Sequence, residues 1–304
     1  MIHIVKVAFS QVYAYNKLPD GHRFPMEKYE LLPQQLLHEG TLTATDFFEP
    51  GQLTEAEILR THTAEYWEKL KSGTLSSKEI RAMGLPFHES LVTRGRHISK
   101  GTLECAYYAL KDGIALNIAG GTHHAYADKG EGFCMFNDFA IASNELLHHK
   151  VISQILIVDL DVHQGNGTAK LFAENDQVFT FSMHGAHNYP LKKEKSDLDI
   201  GLPDQINDET YLDILKSELP KVISKVKPEL IFYLSGVDIL STDKLGRLGM
   251  TIEGCRLRDQ FVFETCHQLQ IPVVVGMGGG YSKHIKDIIE AHANTFREVK
   301  RIYE

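Results

Sequence analysis

The strongest constraint on this chain is a repeated alternation of two patterns. Short apolar runs rich in β-branched residues occur at Ile2 to Phe9, Ile114 to Ile118, Ile155 to Leu160, Val178 to Ser182, Leu230 to Ser235 and Pro272 to Gly276. Such runs read as strands buried on both faces. Between them lie longer stretches with apolar residues at spacings of three and four, including Thr210 to Val226 and Thr251 to Leu269, which read as amphipathic helices. Strand and helix in alternation require crossover connections, so the expectation is an α/β fold with a central, mostly parallel sheet and helices on both faces. The segment up to about Lys100 reads as mostly helix and loop, with turns at Leu18 to Arg23 and Gly84 to Phe87. No repeat, low-complexity linker or break in composition marks a boundary, so residues 1–304 are expected to form a single domain.

Composition narrows the partners. Lys and Arg number 32 against 40 Asp and Glu, a net charge of −8, which argues against direct nucleic-acid binding. No apolar run approaches the roughly 20 residues of a membrane span, and Ile2 to Ala8, broken by His3 and Lys6, is no signal-peptide core. The four cysteines, Cys105, Cys134, Cys255 and Cys266, form no CxxC pair, as expected for reduced thiols rather than a disulfide framework or a zinc knuckle. A cytoplasmic protein, or a nuclear one in a eukaryote, is the expectation.

In open parallel sheets the site lies beyond the carboxyl ends of the strands. Four strand ends here carry functional groups: Gly120, Gly121, Thr122, His123 and His124; Asp159, Asp161 and His163; Asp238; and Gly278, Gly279, Gly280 and Tyr281. Asp159, Asp161 and His163 alternate, which on an extended chain puts them on one face where they could converge on a cation. As a third ligand from another strand, Asp238 could join Asp161 and His163 and leave an open position for water or substrate, the mark of a catalytic site. Two carboxylates and one imidazole make a hard donor set, so Fe(II) competes with zinc. His123 and His124 should point apart and meet different partners, with Asp159 and Asn166 as the natural orienting groups. The pair His148 and His149, in contrast, reads as an exposed helix end. GMGGGYS at 276–282 lacks the GxGxxG spacing of a dinucleotide loop and reads as a tight turn that presents Tyr281.

Four segments in order, GGTHHAYADKGEGFCMFND (120–138), IVDLDVHQGNGT (157–168), SGVDILSTDKLGRLGMT (235–251) and GMGGGYS (276–282), resemble the histone deacetylase and acetylpolyamine amidohydrolase superfamily. DGHRFPMEKY (20–29) and KSDLDIGLP (195–203) look like its class IV branch and the bacterial relatives of that branch. The resemblance implies an arginase-like fold with a sheet of about eight strands, and a zinc-dependent hydrolase of acylated amines. By position, Asp161, His163 and Asp238 match the metal ligands, His123 and His124 the tandem histidines, and Tyr281 the phenol that binds the acyl carbonyl. The implied mechanism is attack by an activated water, with His124 as base and His123, paired with Asp159, as electrostatic support. Gly132 and Phe133 match the wall of an acyl-lysine tunnel, Tyr189 and Leu245 are further wall residues, Gly279 lies at the floor, and Arg23 matches an arginine beneath the site. A potassium ion is implied near Asp159, Ser182 and the backbone carbonyls of Asp161, His163 and Met183. Where many relatives carry a second aspartate, this chain has Asn166, as class IV members do.

The resulting expectation is a deacylase of acyl-lysine in proteins or peptides, with acetyl or longer fatty acyl groups. An acetylpolyamine or other small-amine hydrolase and a silent acyl-lysine binder are the alternatives. A binuclear arginase-type centre would need further acids beside Asp238, where Val237 and Ile239 stand.

Overall fold

The computed structural model describes residues 5–304. Eight parallel strands form one sheet: β1 (Lys6–Ala8), β2 (Phe47–Phe48), β3 (Ile114–Asn117), β4 (Ile155–Asp159), β5 (Val178–Gly185), β6 (Leu198–Leu202), β7 (Leu230–Leu234) and β8 (Val273–Gly276), in the order β2-β1-β3-β8-β7-β4-β5-β6. All residues of β3, β4, β7 and β8 are buried, which is why these strands appear in the sequence as unbroken apolar runs. Ile2 to Ile4 of the first expected strand lie outside the described residues.

Two strands carry no such signature. With two residues, β2 is too short to have one. β6 is an edge strand whose burial alternates, and its sequence LDIGL mixes acid and glycine with apolar residues.

Among the described residues, nine α-helices lie between strands, α1 (Lys28–His38), α2 (Glu55–Leu59), α3 (Ala64–Ser72), α4 (Ser77–Met83), α5 (Glu89–Asp112), α6 (Asp138–His148), α7 (Asn166–Leu171), α8 (Asp208–Val226) and α9 (Ile252–Gln268), and α10 (Ile285–Tyr303) follows the last strand. The starts of α8 and α9 are fixed by caps, with Asn207 accepting the Thr210 N–H and Thr251 accepting the Gly254 N–H. The steps β2→β3, β3→β4 and β4→β5 cross the sheet in one direction, and β1→β2, β6→β7 and β7→β8 cross it in the other. Right-handed crossovers therefore place α2 to α7 on one face and α1, α8 and α9 on the opposite face. The packing agrees, since α5 lies against α6, β1, β3 and β8, while α9 packs on α8 and α10, and α10 on α1. This winding makes β3, β8, β7 and β4 adjacent at the centre, so their carboxyl ends open into one crevice.

Candidate active site

Beyond β3 the chain turns through Gly120 and Gly121, with φ of 83° and 72°. A Cβ at Gly121 would lie 2.8 Å from Leu234 Cγ and 3.1 Å from the backbone of Gly278, so glycine is required by both conformation and space. Asp138, at the start of α6, holds this turn: it accepts the N–H groups of Gly121 (3.1 Å) and Thr122 (2.7 Å) and the hydroxyls of Thr122 and Thr102 (both 2.6 Å). His123 and His124 follow in a turn rather than an extended strand, so their rings do not point apart as alternation suggests but lie 4.1 Å from each other. Their partners still differ. His123 Nδ1 is 2.7 Å from Asp159 Oδ2, and His124 Nδ1 is 2.6 Å from Asn166 Oδ1.

Those partners set opposite electrostatics on two neighbouring buried rings. Burial disfavours a charged His123, but the charge and hydrogen bond of Asp159 outweigh it and hold its pKa above the ordinary value. For His124, burial and the nearby His123 and His163 act together, and the neutral amide of Asn166 cannot offset them, so its pKa lies well below the usual histidine range.

Beyond β4, the extended conformation ends at Asp159, so the alternation of Asp159, Asp161 and His163 does not put all three together. Asp159 turns to His123, whereas Asp161 and His163 meet Asp238 from the loop after β7. One ligand atom from each of these three lies within 4.8 Å of the others, and all three residues are buried. His163 Nδ1 is 3.1 Å from both Asp161 Oδ1 and Asp238 Oδ2. The carboxylates are aimed by backbone donors: Gly279 N–H to Asp161 Oδ2 and Val162 N–H to Asp238 Oδ1, each 2.9 Å. Burial and the neighbouring Asp161 charge push Asp238 up to about 7, the effect of two carboxylates crowded together in a buried site. Two buried carboxylates and an imidazole converging in this way suit a divalent cation.

Tyr281 is buried, its N–H donates to Asp243 Oδ2 at 2.6 Å, and its ring stands 6.4 Å from His163 and 5.8 Å from Phe133. Burial, with the Asp238 and Asp161 charges, raises its pKa well above the ordinary phenol value, so the hydroxyl keeps its proton. Gly132, Phe133, Tyr189, Leu245 and Tyr281 line an outer pocket that reaches His124 and His163, and Gly279 lines the inner cavity beside Asp161. Arg23, expected beneath the site, instead lines the outer pocket; the arginine that borders the inner cavity is Arg94. The register of β4 on β5 sets Asp159 opposite Ser182, with Met183 the next residue along. Cys134 also borders the inner cavity, but burial pushes its thiol up, away from nucleophilic duty. His148 ends α6 and His149 caps it, with Nε2 3.3 Å from Glu145, as their sequence position suggested.

Several contributors are not evident from strand ends. Asp138 and Asp243 sit inside the family-like segments but act through backbone N–H groups, and Glu131 and Arg258 act on residues far away in the sequence. Arg258 Nη1 donates to the carbonyls of Gly236 (2.6 Å) and Leu160 (3.3 Å), behind the two loops that bring Asp238 and Asp161. Among the described residues, no helix is long and apolar enough to cross a membrane.

The chain is similar to known proteins over most of its length. The Histone deacetylase domain family model matches residues 22–296. An uncharacterized protein of Picosynechococcus sp. is 42% identical over 286 residues, covering 94% of this chain and 95% of its own. Histone deacetylase 2 of Arabidopsis thaliana is 28% identical over 94% of this chain and 76% of its own, and Acetoin utilization protein AcuC of Staphylococcus aureus (strain MRSA252) is 28% identical over 91% and 77%. The crystal structure of an HDAC homolog from Aquifex aeolicus superposes with a TM-score of 0.85 at 24% identity, covering 98% of this chain and 84% of that one. The sheet order, the crevice at its centre and a match over nearly the whole length lead to one assignment: the chain belongs to the histone deacetylase family of hydrolases.

Proposed function

We propose that the chain is a single catalytic unit of the class IV kind, a mononuclear metal-dependent deacylase that hydrolyses the amide of acyl-lysine in proteins or peptides. The observation that carries this reading is the asymmetry of the tandem histidines, one paired with the Asp159 carboxylate and one with the Asn166 amide, beside a buried cluster of three residues suited to a metal ion. Asp161, His163 and Asp238 would hold the ion, zinc or its competitor Fe(II), which when bound supplies Lewis-acid polarisation of the amide carbonyl and a more acidic water.

The remaining work falls to the chain. His124 gives its Nδ1–H to Asn166, which leaves the Nε2 lone pair to take a proton from the attacking water. Tyr281, kept protonated, donates to the carbonyl oxygen as negative charge develops there. His123, whose protonated form Asp159 favours, stabilises that charge, and return of the proton from His124 to the leaving amine completes the cleavage. Gly132, Phe133, Tyr189 and Leu245 enclose the acyl-lysine stem and exclude water, and Gly279 leaves room at the floor. A potassium ion near Asp159, Ser182 and the carbonyls of Asp161, His163 and Met183 would brace the ends of β4 and β5.

The test is turnover of lysine peptides carrying acetyl to myristoyl groups, with acetylated polyamines in parallel. Hydrolysis of the peptides supports the reading. Turnover of polyamines alone would move the chain to small-amine hydrolysis, and turnover of none with metal bound would leave a binder.

A further inference from the structure

An amide, unlike an aspartate, does not by itself choose which end faces an imidazole. In this site two neighbours bear on the choice, and the charged one is Glu131. Asn166 Nδ2 lies 3.0 Å from Glu131 Oε1 and 3.0 Å from the Tyr126 hydroxyl. A carboxylate accepts and never donates, so the amide must turn its NH2 toward Glu131 and its oxygen toward His124. That oxygen also only accepts, so His124 Nδ1 must carry the hydrogen and Nε2 the lone pair. A reversed amide would offer its NH2 to Nδ1 and drive the hydrogen to Nε2, giving a ring unable to take a proton from water.

Glu131 is itself firmly held. Lys129 Nζ donates to Oε2 at 2.7 Å, and the Tyr189 hydroxyl donates to Oε1 alongside Asn166. Burial pulls its pKa up, but the bonds from Lys129, Tyr189 and Asn166 outweigh this, so the carboxylate stays ionised. The Glu131 N–H donates to the Cys134 carbonyl at 2.9 Å, fixing it at the base of the Gly132–Phe133 turn, while Tyr189 comes from the facing wall.

We propose that Glu131 is a positioning residue that orients the Asn166 amide, thereby fixes the Nδ1–H tautomer of His124, and ties the facing tunnel walls to the same carboxylate. This rests on His124 being the proton acceptor of the deacylase reading.

The experiment combines kinetics with 15N NMR of the imidazoles in the metal-loaded enzyme. Glu131→Ala and Glu131→Gln should each lower kcat by about 10- to 100-fold with KM changed less than about threefold, the scale for losing an outer partner of a site ligand. The glutamine variant keeps size and polarity and serves if the alanine variant fails to fold. In an Asn166→Asp background, where a carboxylate accepts directly from Nδ1–H, Glu131→Ala should cost less than about threefold, because the two positions are coupled. The spectrum should show one His124 tautomer in the wild type and a mixture in both Glu131 variants. An unchanged tautomer, or the same loss in both backgrounds, overturns the assignment. The NMR arm needs no turnover, so failure of the deacylase reading and failure of the Glu131 role are separable.

Discussion

Arg258 offers a quantitative test of how the metal loops are built. Its side chain is fully buried, with Nε 2.9 Å and Nη2 2.8 Å from Asp259 Oδ1. Nη1 reaches the carbonyls of Gly236 (2.6 Å) and Leu160 (3.3 Å), and Nη2 that of Ser235 (3.3 Å). Leu160 precedes Asp161, and Ser235 and Gly236 lead to Asp238, so one guanidinium clamps both ligand loops from behind. Asp259 also accepts from Tyr233 (2.5 Å) and Thr295 (2.6 Å), but these neutral donors do not replace the lost cation. Arg258→Met keeps much of the volume and leaves Asp259 as a buried charge without a counter-ion, a loss of about 3–5 kcal/mol. With an unfolding entropy of about 2.1 cal/mol/K per residue over 304 residues, this lowers Tm by about 5–8 °C. Thermal unfolding of metal-stripped protein, followed by calorimetry, isolates the effect from metal binding. The double variant Arg258→Met/Asp259→Asn should be less destabilised than the sum of the singles by about 1–3 kcal/mol. A single variant within 1 kcal/mol of wild type, or strict additivity, would refute the clamp.

Three further outcomes follow from the same geometry. A Cβ at Gly279 would stand 2.1 Å from Asp238 Oδ2 and 2.8 Å from Asp161 Oδ2, so Gly279→Ala should weaken metal binding by about 10- to 100-fold in a chelator competition; affinity within twofold of wild type would count against the ligand assignment. Tyr281→Phe should keep the metal and lose about 10²- to 10³-fold in kcat, and full activity would remove the phenol from the oxyanion site. His62 is buried, with Nδ1 donating to the Tyr126 carbonyl (3.0 Å) and Nε2 accepting the Asn137 N–H (3.1 Å), and burial lowers its pKa to about 4 from 6.5. The unfolded chain therefore takes up the proton first as pH falls, so the stabilisation is whole above about 6.5 and is lost through about 4, about 3 kcal/mol in all. Urea unfolding should show the gap between wild type and His62→Gln closing over that window; a constant gap means His62 is not the titrating group.

The central strands are legible in the sequence because burial on both faces leaves nothing but apolar residues, while the alternating edge strand β6 and the two-residue β2 have no such signature. Site residues at strand ends are visible for the same reason, as polar groups that interrupt apolar runs. Local backbone shape is harder to read: His123 and His124 lie in a turn, and the chain bends after Asp159, so extended-chain alternation misdirects both. Glu131 and Arg258 are invisible because their roles depend on partners brought together only by the fold, Asn166 in one case and the carbonyls of Leu160, Ser235 and Gly236 in the other. Arg23 shows a similar limit, since being an arginine near the site does not say on which side of the pocket it stands.

The central claim, one divalent ion held by Asp161, His163 and Asp238 for amide hydrolysis, is tested most directly by titrating metal-stripped enzyme with zinc or Fe(II) while following cleavage of an acyl-lysine peptide. Turnover should rise linearly, break at one equivalent, and vanish with binding in Asp238→Ala. Turnover unaffected by stripping, a break at two equivalents, or full metal-dependent activity in Asp238→Ala would contradict the account.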